Sequence, residues 1–480
     1  MAATFAAARC CCDDYNHCYK EIGTGKQCPA DFGGFDGIEL PSAIGGFVEL
    51  HCSHDSSMRS TAAMAAQPYI DYVDYTGNQT FMKETAYPYV REVAAFYASY
   101  LKRDTDGLYG VPFGCAQELC SGRQSGDKHP QKDDTIDLAY SRWIFSKALD
   151  WGRKIGEPAA VLAKWKEVAS NLKPYPLTDQ SQPPAPRGKA DAEEWCASSN
   201  CAGFSEAVRL LLLSPALVLR FVAGCALPAR LTLRSVGQLQ VNTDVNRSQI
   251  MWANADWPIA NFAPIHPTGQ VGLRSDNHTK TLARNTVWLV NNHTHWHGVN
   301  GICLSWPSAS RMMDKNDPYP FNPSTLLDTF EDALRATMQP NFWPSMGGGG
   351  LEQVGATQAI NELLLQSFES VDKTSMETFS PSPAGTFLRF FPGWPIGERA
   401  SFKSLRAIGG FLVDGSVDTR GVVSEVSVLS TVGGSCTFLP FSLEGEPVVH
   451  DSKGARVPTT SVSGDLRRFA TNAGERYTIS

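Results

Sequence analysis

The chain has 480 residues, 42% of them apolar and 19% charged, with a net charge of −7. That length and composition can bury a large core divided among roughly two or three domains. The acid excess argues against a nucleic-acid surface, which gathers Lys and Arg. The glycine run Gly347 to Gly350 lacks the following Lys-Ser/Thr of a phosphate-cradling loop.

Residues 1–35, with Cys10, Cys11 and Cys12, show no periodicity. No basic start followed by an apolar run marks a signal peptide. From Arg59 the pattern becomes helical, with Met64, Tyr69, Val73 and Tyr75 on one face and a stop at Gly77-Asn78. A second helix is predicted from about Thr80 to Leu101. The stretch Asp104 to Asp133 is a long polar, Gly-rich loop, and loops of that length inside compact domains tend to carry function. Asp134 caps a third helix to Ile155, and Glu157-Pro158 opens a fourth to Leu172.

Residues 173–200 read as a Pro- and Ser-rich loop. The segment at about 201–245 departs in composition and reads as an atypical insert. Its most apolar part, Ala207 to Leu231, is broken by Arg209, Pro215, Arg220, Pro228 and Arg230, so no integral membrane segment of ~20 residues is expected. Helices resume at Asn277–Asn292, Asn300–Met313, Ser324–Thr337 and Thr357–Ser367. After Ser380, short alternating runs at Phe387, Phe411, Val422 to Leu429 and Thr437 read as strands. Paired helices followed by strands predict a mainly α architecture with a β cap. The expected domains are an unplaced 1–35, a helical 36–380 and a β domain at 381–480.

Thirteen cysteines are scattered. Cys115 and Cys120 lie five apart, as do Cys196 and Cys201, and either pair could close a disulfide outside the cell. None forms a zinc pattern, and no cofactor is implied. Sequons at Asn78, Asn246, Asn277 and Asn292 lean towards the secretory route. The 11 Trp would suit stacking on sugar rings or core packing alike.

Three segments resemble glycoside hydrolase family 95, the inverting α-L-fucosidase group. They are Glu84 to Leu101; Gln339-Pro-Asn-Phe to Gly350 with Gly355 to Ser367; and Phe390-Phe-Pro-Gly-Trp-Pro to Phe411. Their order and spacing fit over roughly residues 45–420 outside the insert. The resemblance implies a six-hairpin (α/α)6 toroid, incomplete here, followed by a small β-sandwich-like domain. It also implies a carbohydrate substrate, a terminal α-linked sugar removed by hydrolysis. The family's N-terminal β domain and its Asn-rich motif have no counterpart, so the resemblance is to a truncated form.

Inverting hydrolysis needs a general acid and a general base with carboxyls roughly 6.5–9.5 Å apart. Glu118 is the only carboxylate between Asp106 and Asp127 and aligns with the family's general acid; an ordinary solvated loop glutamate is the alternative. The family's base position falls on Leu351, beside Glu352, which is the candidate base; Asp314 and Asp137 are reserves. A helix-start carboxylate favoured by the macrodipole explains Glu352 equally well. Asp137 matches a family aspartate on a barrel helix that orients sugar hydroxyls. His51, His54, Asp55 and Arg59 suit hydroxyl recognition or a structural polar network better than a metal. Trp257, Asn261 and His266 match the stretch lining the family's barrel mouth. His293, His295 and His297 alternate around Trp296, and subsite lining by Trp296 and His297 outranks a metal site. Two other readings stay open: a polysaccharide lyase on the same toroid, and a non-catalytic sugar-binding remnant.

Overall fold

The computed structural model describes residues 36–37, 59–112, 133–179, 249–251, 261–293, 302–315, 322–340, 355, 357–372, 385–424, 426–441 and 446–480. The chain divides into two compact units, 1–178 with 249–480 and 179–248. The helices and the C-terminal strands belong to the first unit; the insert expected at about 201–245 lies outside the described residues.

Helix α1 spans Thr61–Thr76 and ends where Gly77 turns left-handed at φ 68°, its N–H returned to Val73 O. Asn78 then caps α2, Gln79–Phe81, by accepting from Phe81 N. The expected single helix over 80–101 is not uniform. A π turn, Met82–Ala86, joins α2 to α3, Tyr87–Tyr100. Pro88 explains it: proline cannot donate to the carbonyl one turn back and its ring crowds that carbonyl, so the ladder widens just before it.

Helix α4, Thr135–Ile155, opens on Asp134 and closes on left-handed Gly156. Every residue from Thr135 to Phe145 is buried, polar ones included, so α4 is enclosed on all sides rather than amphipathic. Helix α5, Ala159–Ser170, packs against it. Further on come α6, Asn277–His293; α7, Ile302–Arg311; α8, Pro323–Thr337; and α9, Gln358–Leu364.

Helix α1 runs parallel to α4, and the end of α7 lies beside the end of α9. Asp137 near the start of α4 feels the charge of Arg59 just before α1, and Lys147 late in α4 meets Asp74 late in α1 at 2.5 Å. Arg311 at the end of α7 meets Glu362 late in α9. No described helix is long and apolar enough to cross a membrane.

A hairpin, β1 (Lys102–Arg103) and β2 (Tyr109–Gly110), follows α3. Directly after α9, β3 (Leu365–Gln366) pairs with β4 (Arg389–Phe390). The C-terminal part adds β5 (Ala400–Ala407), β6 (Phe411–Val417), β7 (Val426–Ser430), β8 (Gly434–Phe438), β9 (Val449–His450), β10 (Arg456–Val457), β11 (Thr460–Val462), β12 (Leu466–Thr471) and β13 (Glu475–Ile479). They form a six-stranded sheet ordered β10-β9-β13-β7-β6-β5 and a three-stranded sheet ordered β8-β12-β11. Val413, Val426, Val428, Phe438, Phe469 and Tyr477 supply the core of this region.

The helical body and the strands are joined by specific contacts. Gly409 N donates to Asp74 O, Arg406 to Tyr75 O, and Glu369 binds both Arg274 N and the Arg389 guanidinium. A Cβ on Gly272 would press directly onto Glu369 Oε1, so only glycine fits there.

Candidate active site

The start of α4 gathers polar groups that a helix interior normally excludes. Asp134 Oδ1 accepts from Asp137 N at 2.8 Å, an N-cap bond that sets both carboxyls on the first turn. Asp134, Thr135, Asp137 and Ser60 are buried. Among the described residues, Asp133 Oδ1, Asp134 Oδ2, both Asp137 carboxyl oxygens, Thr135 Oγ1 and Ser60 Oγ have no hydrogen-bond partner of good geometry. The side chains of Asp134, Asp137 and Ser60 lie within reach of one another, and a buried cluster of such groups is the candidate site.

Burial, and then the Asp134 charge beside it, push the Asp137 carboxyl well above the usual range; Arg59 and Ser60 pull it back. Burial raises Asp134 as well, against its bonds to the Asp137 backbone and side chain. Two carboxyls this close cannot both ionise cheaply, so the pair titrates together and holds a proton to higher pH than either alone. A protonated Asp137 is a donor, and Asp134 Oδ2 is the acceptor at hand. Arg59, whose Nε reaches Tyr100 OH at 3.3 Å, keeps a cation at the rim.

The described residues on either side of 113–132 are tied to one another. Asp133 N donates to Val111 O at 3.0 Å. Lys173 Nζ lies 2.5 Å from Asp104, 3.0 Å from Asp133 and 3.8 Å from Asp106. Its backbone holds the same hairpin, since Lys173 N donates to Tyr109 O and Lys173 O accepts from Arg142. Hydrogen bonds to Asp104, the largest effect, raise the Lys173 ammonium further above its ordinary range. Asp133 itself sits at φ 58°, a conformation few side chains accept, held by this clamp.

Of the residues expected from sequence, Arg59 and Asp137 come together here. Asn261 is buried at the head of a segment whose Gln270 donates to Ala139 O of α4 at 2.7 Å. His266 goes elsewhere: it lies beside Arg311, away from the first turn of α4, and burial holds its imidazole neutral. Glu118, Glu352, His51, Asp55, Trp257, Trp296 and His297 lie outside the described residues, as do His54 and His295 and the Cys115–Cys120 and Cys196–Cys201 pairs. Described residues abut several of them: Arg59 follows His51 and Asp55, Asp133 ends the Glu118 loop, Asn261 follows Trp257, and Gly355 follows Glu352. No group of three metal-binding side chains occurs among the described residues.

Sequence reasoning took Asp134 as a cap alone and missed its pairing with Asp137. The Asp-x-x-Asp spacing was the available signal, because it is the spacing of an N-cap and the N–H it binds. Lys173, Arg311 and Glu362 carried no local signal.

Residues 48–182 match the catalytic domain of glycosyl hydrolase family 95. The match covers the helices that build this site, from before α1 to beyond α5, and the resemblance read from Glu84 to Leu101 stands. A kojibiose phosphorylase described as putative, from the human microbiome, is similar in fold at TM-score 0.36 and 11% identity, over 84% of this chain and 46% of that one. The α-L-rhamnosidase of Streptomyces avermitilis reaches TM-score 0.34 at 11% identity, over 88% of this chain and 32% of that one. This chain spans less than half the length of either. No relative is found among curated proteins. The likeness to a glycosyl hydrolase thus rests on residues 48–182, the first helices of the chain.

Proposed function

We propose that this protein is an inverting glycoside hydrolase that removes a terminal α-linked sugar, fucose or a related hexose, from an oligo- or polysaccharide. The observation that carries the reading is the buried carboxyl turn Asp134–Asp137, set at the end of the Glu118 loop inside the stretch that matches the family 95 catalytic domain. In this reading the inner helices belong to an (α/α)6 toroid over residues 36–380, with the β domain at 381–480. Glu118 protonates the leaving oxygen, and Glu352 deprotonates the attacking water on the other face of the ring. The carboxyl of Asp137, with Arg59 at the rim, takes sugar hydroxyls; His51, Asp55, Asn261, Trp257, Trp296 and His297 complete the subsite. A sugar hydroxyl both donates and accepts, which suits a carboxyl pair sharing a proton.

The test is hydrolysis of aryl α-glycosides (fucoside, galactoside, rhamnoside, xyloside) by the wild-type chain and by Glu118→Gln. Turnover of one glycoside with inverted configuration at the product anomeric carbon, lost in the variant, is expected. Turnover that survives Glu118→Gln, or silence across the panel from folded protein, would sink the assignment.

A further inference from the structure

A second enclosed space lies well along the inner helices from the carboxyl turn. Asp71 is ten residues into α1, so at ~1.5 Å per residue it stands about 15 Å from the helix start. There a cavity of about 480 Å³ opens between α1, α7, α9 and β5. Gln67, Asp71 and Tyr75 face it from α1 at spacings of four, which is one helical stripe.

The charges around this cavity cancel. Arg311 is committed to Glu362 through Nε at 3.0 Å and Nη2 at 2.9 Å, to Ile265 O at 2.8 Å, and to the Phe368 ring at 3.9 Å. Arg406 donates to Tyr75 O at 3.1 Å. Asp71 and Glu362 balance these two cations. Asp74 and Lys147 stand behind Asp71, paired with each other. An anionic ligand would have to displace Glu362 to reach Arg311, while Arg406 is an exposed residue of β5 bound to the Tyr75 carbonyl.

What remains for a ligand is neutral or weakly charged. His266 is neutral, and its Nδ1 is buried without a hydrogen-bond partner among the described residues. Burial, aided by Asp74, pushes the Asp71 carboxyl up to about 6. The Gln67 amide is hydrogen-bonded to Asp71 and brings a second N–H and a carbonyl, and the Tyr75 hydroxyl brings a donor and an acceptor. Phe368 and Leu405 supply apolar surface. Hydroxyl-seeking groups of both senses around an apolar wall, with two carboxylates matching the two cations, describe a receptor for an uncharged ring of hydroxyls.

We propose that this cavity is a second binding site, distinct from the carboxyl turn, for an uncharged polyhydroxylated molecule of monosaccharide size. It takes the ligand through Gln67, Asp71, Tyr75 and His266. The site does not require the chain to hydrolyse anything, so it stands or falls separately from the hydrolase reading.

The test is calorimetric titration of the full chain with L-fucose, D-galactose and D-glucose, with D-glucuronate as the anionic comparison. The variants are Tyr75→Phe, Gln67→Met and, at the other site, Asp137→Asn; thermal melts check that each folds. Expected is binding of one neutral sugar that weakens at least about tenfold in Tyr75→Phe or Gln67→Met and persists in Asp137→Asn. Tyr75→Phe removes one oxygen only, so it remains informative even where Gln67→Met does not fold. Absence of binding, tighter binding of glucuronate, or binding lost only in Asp137→Asn would overturn the proposal. Glycoside turnover with a single binding class lost in Asp137→Asn would refute the cavity and keep the hydrolase. A class lost in Tyr75→Phe without turnover would do the reverse.

Discussion

Replacing Lys173 with Met should loosen the candidate active site from a distance. The ammonium sits among three carboxylates, Asp104 at 2.5 Å, Asp133 at 3.0 Å and Asp106 at 3.8 Å, and its side chain is only 15% exposed. Methionine keeps most of the stem's packing but leaves those carboxylates to repel one another without a counter-charge. Fully buried pairs cost about 3–5 kcal/mol to break by removing one partner, and exposed ones about 0–1. This cluster is intermediate, with Asp133 18% and Asp106 51% exposed, so about 2 kcal/mol is expected. A fall in Tm of roughly 4–8 °C follows for a cooperative unit of 150–250 residues, and less for a larger one. The pH dependence is a sharper check. Lys173 is raised above its unfolded value by Asp104, so its stabilisation is complete below about pH 10 and fades only as the pH climbs past the raised value. The gap between wild type and variant should therefore stay level from about pH 6 to 9. On the proposed hydrolase reading, turnover should fall by about tenfold or more, because Lys173 ties together the residues on either side of the segment that carries Glu118 and small misplacements of a catalytic group are costly. Lys173→Arg should recover part of both. A Lys173→Met protein that melts within about 1 °C of wild type with unchanged turnover would refute the clamp.

Two more outcomes concern the buried charges. Asp137→Asn should stabilise the fold progressively as pH rises. The folded-state carboxyls are raised, so the penalty is absent below the unfolded value near 4, builds as pH rises from there, and levels off once pH passes the folded values. An amide can still donate to Asp134, and a gain in stability above neutral pH is expected; stability curves that run parallel across pH 4 to 8 by urea titration would contradict it. Arg311→Met should cost about 3–5 kcal/mol, since it strands Glu362, a side chain 4% exposed, without its cation. Chemical denaturation that shows a loss under about 1 kcal/mol would mean that Glu362 is solvated.

Much of the helical body was legible because its punctuation is local. Gly77, Asp134 and Gly156 each end or begin a helix where the sequence places a stop or cap, and α1, α4 and α5 lie within two residues of expectation. The π turn was not legible, since Pro88 sits two residues after it and reads as an ordinary early-helix proline. The strands were half seen. Phe411–Val417 alternates cleanly between buried and half-buried residues, whereas Ala400–Ala407 is an edge strand with a register shift between Phe402 and Leu405 that breaks the period of two. The short helix Gln358–Leu364 was expected to run to Ser367; instead the chain turns extended at Leu365 to pair with Phe390, a partner 25 residues on that no local pattern announces. Asp137 was singled out by the family resemblance, and Arg59 by its clustering with His51, His54 and Asp55. Arg311 and Glu362, 51 residues apart, could not.

The same geometry explains why the carboxyl turn can exist at all. The start of a helix offers unpaired N–H groups and a partial positive charge, which favour carboxylates by up to about 1–2 kcal/mol. Asp134 uses this fully by accepting from Asp137 N. Yet burial outweighs the dipole, since both carboxyls are raised rather than lowered. The turn thus stores unfavourable energy at the one place in α4 where backbone donors partly offset it, and Lys173 holds the adjoining Asp133 so that the chain cannot relax by unwinding. Strained, partly satisfied polar groups held by a remote clamp are what a site needs if its last hydrogen bonds are to be made by a ligand. A purely structural N-cap would need one aspartate, and this one has two.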